Sequence, residues 1–182
     1  AVTKKTNELL AHTYSHLYGL PCTGLRFFTV YGPWGRPDMA PMIFTKAILS
    51  GIPIKVYNYG EMSRDFTYID DVVESITRII NKPAKPNKKF DKNNPKASSS
   101  WAPYQIFNIG NSNSINLMTF ISFLEKKIGL KAIKEFKPLQ NGDVIDTSSD
   151  TSKIESYTGF KPNTKLEKGI EEFVNWYKLY YR

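Results

Sequence analysis

The stretch CTGLRFFTVYGPWGRPDM, residues 22–39, decides the fold class of this chain. β-Branched and aromatic residues from Leu25 to Val30, bounded by glycine and proline, predict a buried strand. The glycines and prolines from Gly32 to Pro37 cannot continue that strand, and they predict a loop at its carboxyl end. Open α/β sheets bind their ligands at this end of their strands, so the loop is a candidate ligand-binding segment.

The first residues of the chain have the spacing of a helix. AVTKKTNELL reads as the middle of a helix, and apolar positions from Val2 to Leu17 fall near helical spacing. Gly19 and Pro21 then predict that this helix ends near Tyr18. A helix followed directly by a strand is typical of an alternating α/β chain.

Helix and strand patterns alternate through the rest of the chain, which indicates an α/β fold rather than an all-β fold or a helical bundle. Apolar stripes predict helices at 43–49 and 117–128. IKVYNYG at 54–60 and YQIFNIGN at 104–111 predict short strands that run into turns. No G-x-G-x-x-G fingerprint follows a first strand, so a nucleotide-dependent enzyme would have its cofactor-binding half outside this sequence.

Two capping boxes predict where further helices begin. Glu74 follows Asp71 by three residues, and Glu167 follows Thr164 at the same spacing, each time ahead of an apolar stripe. Asp71 and Thr164 are therefore the predicted N-caps. The second of these helices, near the C-terminus, is expected to pack on the core.

The composition favours one soluble, domain-sized unit. The 182 residues suffice for a core, and no apolar run approaches the roughly 20 residues of a membrane-spanning helix. We therefore expect a cytoplasmic protein with no membrane partner, and the single cysteine, Cys22, fits a reducing compartment.

The net charge of +8 lies largely in the lysine-rich stretch 81–100, which is typical of a solvated loop, so we expect no nucleic-acid partner. An anionic small molecule is compatible with the charge.

Several stretches resemble the extended short-chain dehydrogenase/reductase family, and within it the nucleotide-sugar 4-epimerases. VTKKTNELL at 2–10 is similar to the helix with the family's Y-x-x-x-K pair, and LRFFTVYGPWGRPDMA at 25–40 to the strand and loop beside the nicotinamide. SRDFTYIDDVV at 63–73 is similar to its R-D-F/Y segment, and APYQIFNIGNS, QNGDV and GFKPNT follow in the expected order. The resemblance covers nearly the whole chain except the lysine-rich stretch.

The resemblance implies a fold and a division of the chain. The fold would be α/β, the C-terminal part of such an enzyme, with the last part of a Rossmann-like parallel sheet plus a small α/β substrate-binding domain. Residues 1–35 would be a remnant of the NAD-binding Rossmann domain. Residues 36–182 would form mainly the nucleotide-sugar-binding domain, with segments returning to the Rossmann sheet. The implied cofactor is NAD, and the implied partners are a UDP-sugar substrate and a second subunit of a full-length homodimer.

Lys4 takes the catalytic and cofactor-binding lysine position of the resemblance, and Tyr31 and Pro33 would line the nicotinamide side. The family's catalytic tyrosine comes four positions before this lysine, so it would directly precede Ala1, and the chain would begin immediately after it. Epimerisation at C4 needs a phenol that acts as a base near neutral pH, and a nearby ammonium favours the phenolate. For Lys4 taken alone, an exposed helical lysine without a catalytic role is the alternative.

RFFTVYGPWGRPDM at 26–39 is the most specific signal for the substrate. It resembles the family members that act on UDP-glucuronate, and Thr29 and Arg36 occupy positions that would bind the sugar carboxylate. A guanidinium fork and a hydroxyl donor suit a carboxylate, because charge-assisted hydrogen bonds are the stronger ones. The alternatives are a strand threonine and an exposed loop arginine without these roles.

Arg64 resembles the family arginine that pairs with the UDP diphosphate, since a guanidinium suits phosphate geometry. An ion pair with Asp65, Asp70 or Asp71 is the alternative. Asp143 resembles an acidic residue near the phosphate and ribose end of the ligand. These residues are the expected binding site for the nucleotide part of the substrate.

The segment IKVYNYG would border the uracil, with the backbone near Val56 and Tyr57 available to pair with its edge. Core positions are the alternative for the aromatic residues. Gln140 stands where many relatives that act on neutral sugars carry a basic residue, which again favours glucuronate.

His12 and His16 are the only histidines and lie one helical turn apart. No third ligand is evident, so we expect no metal site and interpret both as surface or interface residues. The first helix resembles the one through which the family dimerises.

The implied function is part of an NAD-dependent UDP-glucuronate 4-epimerase, which forms UDP-galacturonate through a 4-keto sugar for polysaccharide synthesis. We expect no turnover by this chain alone. Another nucleotide-sugar 4-epimerase or a 4,6-dehydratase is one alternative, and a non-catalytic UDP-sugar-binding module is another.

Overall fold

Helices and strands alternate along the chain in the computed structural model, which describes residues 1–181. The α-helices are α1 Val2–Tyr18, α2 Ala40–Leu49, α3 Ile69–Ile80, α4 Leu117–Ile128, α5 Ser152–Thr158 and α6 Leu166–Tyr180. The strands are β1 Cys22–Phe27, β2 Thr29–Tyr31, β3 Ile54–Val56, β4 Ser63–Tyr68, β5 Tyr104–Ile109, β6 Ser114–Asn116 and β7 Lys134–Phe136. A 3₁₀ turn, Tyr57–Gly60, follows β3.

Most strand pairs are parallel, which confirms the α/β fold class. β1 pairs with β5 in parallel from Cys22 opposite Tyr104 onward. β2 and β4 are also parallel, with Thr29 opposite Phe66, and β6 joins β4 in the antiparallel direction. β3 and β7 form a separate parallel pair. Because β2 ends at the loop 32–39 and β4 ends at the start of α3, the parallel strands β2 and β4 present their carboxyl ends on one side.

The predicted buried strand at 25–30 was wrong in two respects. The chain forms two strands, because the Phe28 amide donates to the Ile109 carbonyl at the end of β5 (3.1 Å) and the next residue, Thr29, pairs with β4. β1 is also half-exposed rather than buried, and Phe27 keeps 48% of its surface in contact with solvent. Among residues 1–181, β1 has a strand partner on one edge only.

Both predicted N-caps were wrong. α3 begins at Ile69, so Asp71 lies inside its first turn, and α6 begins at Leu166, two residues after Thr164. The two residues instead contact each other: the Thr164 amide donates to Asp71 Oδ2 at 2.9 Å. This bond joins the start of α6 to the start of α3. Neither helix has a side-chain hydrogen bond from its N-cap residue.

The helices at 117–128 and near the C-terminus are confirmed, and both pack into the larger hydrophobic cluster of the core. Asn116 caps α4 by accepting from the Met118 amide at 2.8 Å. Phe120 of α4 is fully buried and stacks on Phe66 of β4 with the ring centroids 4.4 Å apart. α6 adds four buried side chains to the same cluster: Ile170, Phe173, Val174 and Tyr177. This cluster supports the strand β4 from one side.

Helix α1 is confirmed to its predicted end, but it contributes only one buried residue, Ser15. Glu8 binds Arg26 of β1 through two short hydrogen bonds, 2.6 and 2.9 Å. Leu10 and Leu17, by contrast, are 53% and 62% exposed.

The lysines of the stretch 81–100 are all exposed, as expected of a solvated segment.

Candidate functional site

A cleft of about 210 Å³ lies between β2, β3 and β4, and we call it the Arg64 cleft. The polar side chains that line it come from segments that are distant in the sequence: Thr29, Lys55, Tyr57, Arg64 and Asp143. Four of these five are predicted substrate-binding residues. The fold therefore brings together most of the residues assigned to the UDP-sugar from the sequence.

Arg64 is the most firmly held cation of this cleft. Its Nη1 donates to the carbonyls of Ser63 (2.9 Å) and Ile145 (3.1 Å), and its Nη2 donates to Asp143 Oδ1 at 3.0 Å. The Arg64 side chain is only 20% exposed. Within residues 1–181, the predicted alternative partners Asp65, Asp70 and Asp71 form no ion pair with Arg64, and its Nε and one hydrogen of Nη2 have no acceptor.

Asp143 sits on a turn that aims its carboxylate at Arg64. The turn closes through a hydrogen bond from the Asp143 amide to the Gln140 carbonyl (3.1 Å), with Gly142 at a φ of 84°. The Val144 amide donates to the same oxygen, Oδ1, that accepts from Arg64. The turn therefore supplies a fixed negative charge beside the arginine.

Asp65, which the sequence analysis considered only as a partner of Arg64, holds the strand that carries that arginine. Its fully buried carboxylate accepts hydrogen bonds from the amides of Asn111 (2.8 Å), Ser112 (3.1 Å) and Ser149 (3.0 Å). A Cβ at Gly110 would lie 2.2 Å from Ser149 Oγ, so this turn requires glycine. The burial of this acid is not visible in the sequence, and the available signal was its place in the R-D-F segment.

Lys55 is a second cation of the Arg64 cleft that the sequence analysis missed. Its neighbours Ile54 and Val56 are fully buried, so the period of the strand turns Lys55 to the opposite side. That alternation in IKVYNYG could have identified it. Tyr57 lines the same cleft, whereas the Val56 carbonyl accepts from the Lys137 amide at 2.9 Å.

A second cleft, of about 340 Å³, adjoins the first and contains Arg36; we call it the Arg36 cleft. Met39 lines both clefts, and Arg36 Nη2 lies 3.7 Å from the Met39 sulfur. Arg36 does not line the cleft that contains Thr29. The structure thus brings the two predicted carboxylate-binding residues to neighbouring clefts that share Met39 as a lining residue.

Arg36 forms a side-on, two-bond pair with Asp38. Nε donates to Oδ1 at 2.6 Å and Nη2 to Oδ2 at 2.9 Å, while the side chains are 71% and 66% exposed. The hydrogen bonds to Arg36 lower the pKa of the Asp38 carboxyl, and the same bonds raise the pKa of the guanidinium. Both groups are therefore charged throughout the neutral range.

The loop that carries Arg36 has an unusual backbone. Gly32 has a φ of 144°, and a Cβ there would lie 2.4 Å from Ile69. Trp34 adopts a φ of 62° and contacts Trp176 and Tyr180 of α6, with ring centroids 5.4 and 4.8 Å apart. The aromatic contacts and the requirement for glycine fix the path of the loop on the core.

The predicted cofactor-binding residues lie in different environments. Lys4 is exposed, on the side of α1 that also carries Glu8, one turn further on. Glu8 binds Arg26 of β1, so this side of α1 faces that strand. Tyr31 is almost fully buried, and burial raises the pKa of its phenol. Pro33 is partly exposed in the loop.

Ala1, which the resemblance places directly after the catalytic tyrosine, stands at the N-terminal end of α1. It is exposed, and its carbonyl accepts a hydrogen bond from the Lys5 amide at 3.1 Å. It lines neither the Arg64 cleft nor the Arg36 cleft. Ala1 therefore contributes a backbone acceptor to the first turn of the helix and no side chain to the site, and a tyrosine one position before it stays a prediction.

The two histidines contact the end of the lysine-rich stretch. His12 Nε2 lies 2.7 Å from Ser100 Oγ, and Trp101 Nε1 donates to His16 Nδ1 at 3.1 Å. Across residues 1–181, no three His, Cys, Asp or Glu side chains gather in a metal-binding arrangement. No helix in the same range is long and apolar enough to cross a bilayer.

The model of the NAD dependent epimerase/dehydratase family matches residues 1–110 of this chain. The chain belongs to this family. Among relatives, Protein CapI of Staphylococcus aureus is 54% identical over 182 residues, all of this chain and 54% of that protein. A probable UDP-glucuronate 4-epimerase of Rhizobium meliloti is 48% identical over 183 residues, with the same coverage.

Solved structures of the family have the same fold. The UDP-glucuronic acid 4-epimerase of Bacillus cereus, in complex with UDP-glucuronic acid and NAD, matches with a TM-score of 0.82 and 32% identity. The match covers 98% of this chain and 52% of the epimerase. The chain spans about half the length of the curated relatives it matches. Its α/β fold is therefore that of one half of a family enzyme.

Proposed function

We propose that this chain is part of an NAD-dependent UDP-glucuronate 4-epimerase, which interconverts UDP-glucuronate and UDP-galacturonate through a 4-keto sugar. The observation that carries the proposal is the Arg64 cleft, where Thr29, Tyr57, Arg64 and Asp143 meet. The Rhizobium and Bacillus relatives, both named for this reaction, support the choice of sugar.

The nucleotide part of the substrate is bound by the cations of the cleft in this proposal. Arg64 keeps Nε and one Nη2 hydrogen for a diphosphate oxygen, while its other donors are held by two carbonyls and Asp143. Lys55 adds a second positive charge. A phosphate group between them would be bound by charge-assisted hydrogen bonds, the stronger class. Asp143 would face the ribose hydroxyls. Tyr57 and the backbone at Val56 would face the uracil.

The sugar carboxylate is bound by Thr29 and Arg36 in this proposal. The hydroxyl of Thr29 supplies one donor inside the Arg64 cleft, and Arg36 approaches past Met39 from the adjoining cleft. Holding the carboxylate also protects the 4-keto sugar. That compound is a β-keto acid, and it loses CO₂ when the carboxylate turns perpendicular to the ketone.

The residues at the carboxyl ends of β1 and β2 fit the nicotinamide end of NAD. Phe28, Val30, Tyr31 and the backbone of Gly32 line the Arg36 cleft, and Pro33 follows Gly32 in the loop. Lys4, exposed in the first turn of α1, would bind ribose hydroxyls and stabilise a phenolate by its charge. When bound, NAD would accept the hydride from C4 and return it to the opposite face.

The remaining proposals concern the assembly. We propose that residues 1–35 complete the NAD-binding domain of the longer enzyme, while residues 36–182 mainly bind the nucleotide sugar. We further propose that the enzyme is a cytoplasmic homodimer serving polysaccharide synthesis, in which the exposed apolar face of α1 with Leu10, Tyr14 and Leu17 meets its copy. The chain by itself would bind substrate without turnover.

The test joins residues 1–182 to the N-terminal half of the Staphylococcus aureus relative and measures epimerisation of UDP-glucuronate. We expect activity from the fusion and none from the chain alone. Arg64→Ala should weaken UDP binding at least tenfold, whereas Arg78→Ala, which removes an exposed arginine of α3, should leave it unchanged. Equal effects of the two substitutions would contradict the proposed role of the Arg64 cleft.

One observation favours a second candidate, a 4-epimerase of a neutral UDP-sugar. Arg36 is paired with Asp38 and lies outside the cleft that contains Thr29. An enzyme that uses Arg36 only for this pair would bind UDP-glucose at least as well as UDP-glucuronate. Calorimetric titration of the fusion with both sugars separates the two candidates.

A further inference from the structure

The carboxylate of Asp38 occupies the same kind of site that a substrate carboxylate would need on Arg36. The pair uses Nε and Nη2, the side-on edge of the guanidinium, and both carboxylate oxygens are engaged. A guanidinium binds a planar carboxylate in this two-bond manner whether the acid belongs to the protein or to a ligand. Asp38 and a bound uronate would therefore compete for Arg36.

The position of Met39 shows where the exchange would take place. Arg36 Nη2 lies 3.7 Å from the Met39 sulfur, and Met39 also lines the cleft that contains Thr29 and Arg64. A rotation of the Arg36 side chain past Met39 would move the guanidinium toward the Arg64 cleft, which shares this lining residue. Methionine is flexible enough to allow such a passage.

The backbone of the loop favours a movement of side chains alone. The Met39 amide donates to the Arg36 carbonyl at 3.1 Å, which closes a turn around Asp38. Trp34 anchors the preceding residues on α6. Arg36 and Asp38 are both highly exposed, so neither needs a buried contact to be broken before the pair opens.

We propose that Asp38 is an internal competitor of the substrate carboxylate: it holds Arg36 outside the Arg64 cleft, and a ligand carboxylate replaces it there. This inference rests on the proposed function of the cleft. The exchange makes selection depend on the ligand's charge, because a neutral hexose offers no carboxylate to replace Asp38. Asp38 would thus set how strongly the site prefers a uronate over the corresponding neutral sugar.

The test measures the binding of UDP-glucuronate and UDP-glucose to the fusion described above, with NAD present, before and after Asp38→Asn. Exposed ion pairs are weak, so the substitution should raise the affinity for UDP-glucuronate by roughly two- to fivefold. The affinity for UDP-glucose should change far less, because only its diphosphate carries negative charge that the charge of Asp38 can repel. Glu74→Gln opens a comparable exposed pair with Arg78 on α3 and is the matched control.

The outcomes separate this inference from the proposed function. If Asp38→Asn weakens UDP-glucuronate binding, Asp38 orients Arg36 rather than competing for it, and the inference is overturned. An unchanged ratio of the two affinities overturns it as well. In an Arg36→Ala background the effect of Asp38→Asn should vanish, and its persistence would contradict the mechanism. If the parent fusion binds no UDP-sugar, or shows no preference for UDP-glucuronate, the proposed function fails and this inference fails with it.

Discussion

The helices α4 and α1 are both amphipathic, yet the apolar face of α4 is buried and that of α1 is largely exposed. Three apolar residues of α4 are fully buried, namely Phe120, Ile121 and Leu124. α1 buries only Ser15, while Leu10 and Leu17 remain in solvent. An apolar stripe thus indicates that a surface will be covered, but not that the same chain covers it. The region around α4 and α6 is stabilised from within, and α1 is held mainly by polar contacts.

The comparison predicts very different costs for truncating an apolar side chain in the two helices. Phe120→Ala should lower the free energy of unfolding by about 3–5 kcal/mol, because it leaves a cavity beneath Phe66. Leu10→Ala should change it by about 0.5 kcal/mol or less. Urea unfolding of the chain measures both values. Similar costs would break the distinction between the two helices.

A second substitution tests how closely α6 packs on the core. Gly169→Ala would place a Cβ 2.1 Å from Tyr31 Oη, so we expect a loss of about 1–3 kcal/mol despite the better helix propensity of alanine. Lys168→Ala, at the exposed neighbouring position, is the control and should be close to neutral. Thermal unfolding compares the two variants. A Gly169→Ala protein as stable as the control would mean that α6 can shift.

The polar attachment of α1 predicts a dependence on pH. Arg26 lowers the pKa of Glu8 from 4.5 to about 2, so the pair stabilises the folded state fully above pH 4.5 and loses its effect as the pH falls toward 2. Glu8→Gln should cost about 1 kcal/mol at pH 7 and only a small part of that at pH 2. Asp91→Asn, in the lysine-rich stretch, is the control. A constant difference between Glu8→Gln and the parent chain across this range would exclude the pair as the cause.

The smallest expected effect on stability concerns the exposed face of α1. Leu17→Ser should change the free energy of unfolding by no more than about 0.5 kcal/mol, yet reduce binding of a hydrophobic dye. Thr13→Ser on the same helix should alter neither quantity. A large loss of stability would show that Leu17 already has a partner within the chain.

Sequence reasoning predicted the alternating fold, the ends of α1 and α2 and both bounds of α4, because apolar periodicity and glycine stops are local signals. It placed the start of α2 three residues late and did not predict α5. It misplaced the caps at Asp71 and Thr164. The Asp71 carboxylate accepts a hydrogen bond from the Thr164 amide, so the two residues bind each other across the fold instead of capping their own helices. It also missed the break at Phe28, where the chain changes strand partners. Both errors arose from contacts between segments that are far apart in the sequence.

The candidate site was predictable residue by residue only through a family resemblance. Thr29, Tyr57, Arg64 and Asp143 meet in one cleft, but no local pattern indicates that the turn at 140–143 faces β4. Lys55 had a readable signal in the alternation of its strand. The pairing of Arg36 with Asp38 was not anticipated, although two residues of opposite charge in one short loop are often in reach of each other.

The position of Trp34 makes the loop 32–39 observable without a label. Trp34 of the loop contacts Trp176 of α6, whereas the third tryptophan, Trp101, packs against His12 and His16 of α1. With Trp101→Phe, the remaining emission would come from the pair beside the Arg36 cleft alone. The spectrum and its quenching by iodide would then follow that loop in real time as ligands enter.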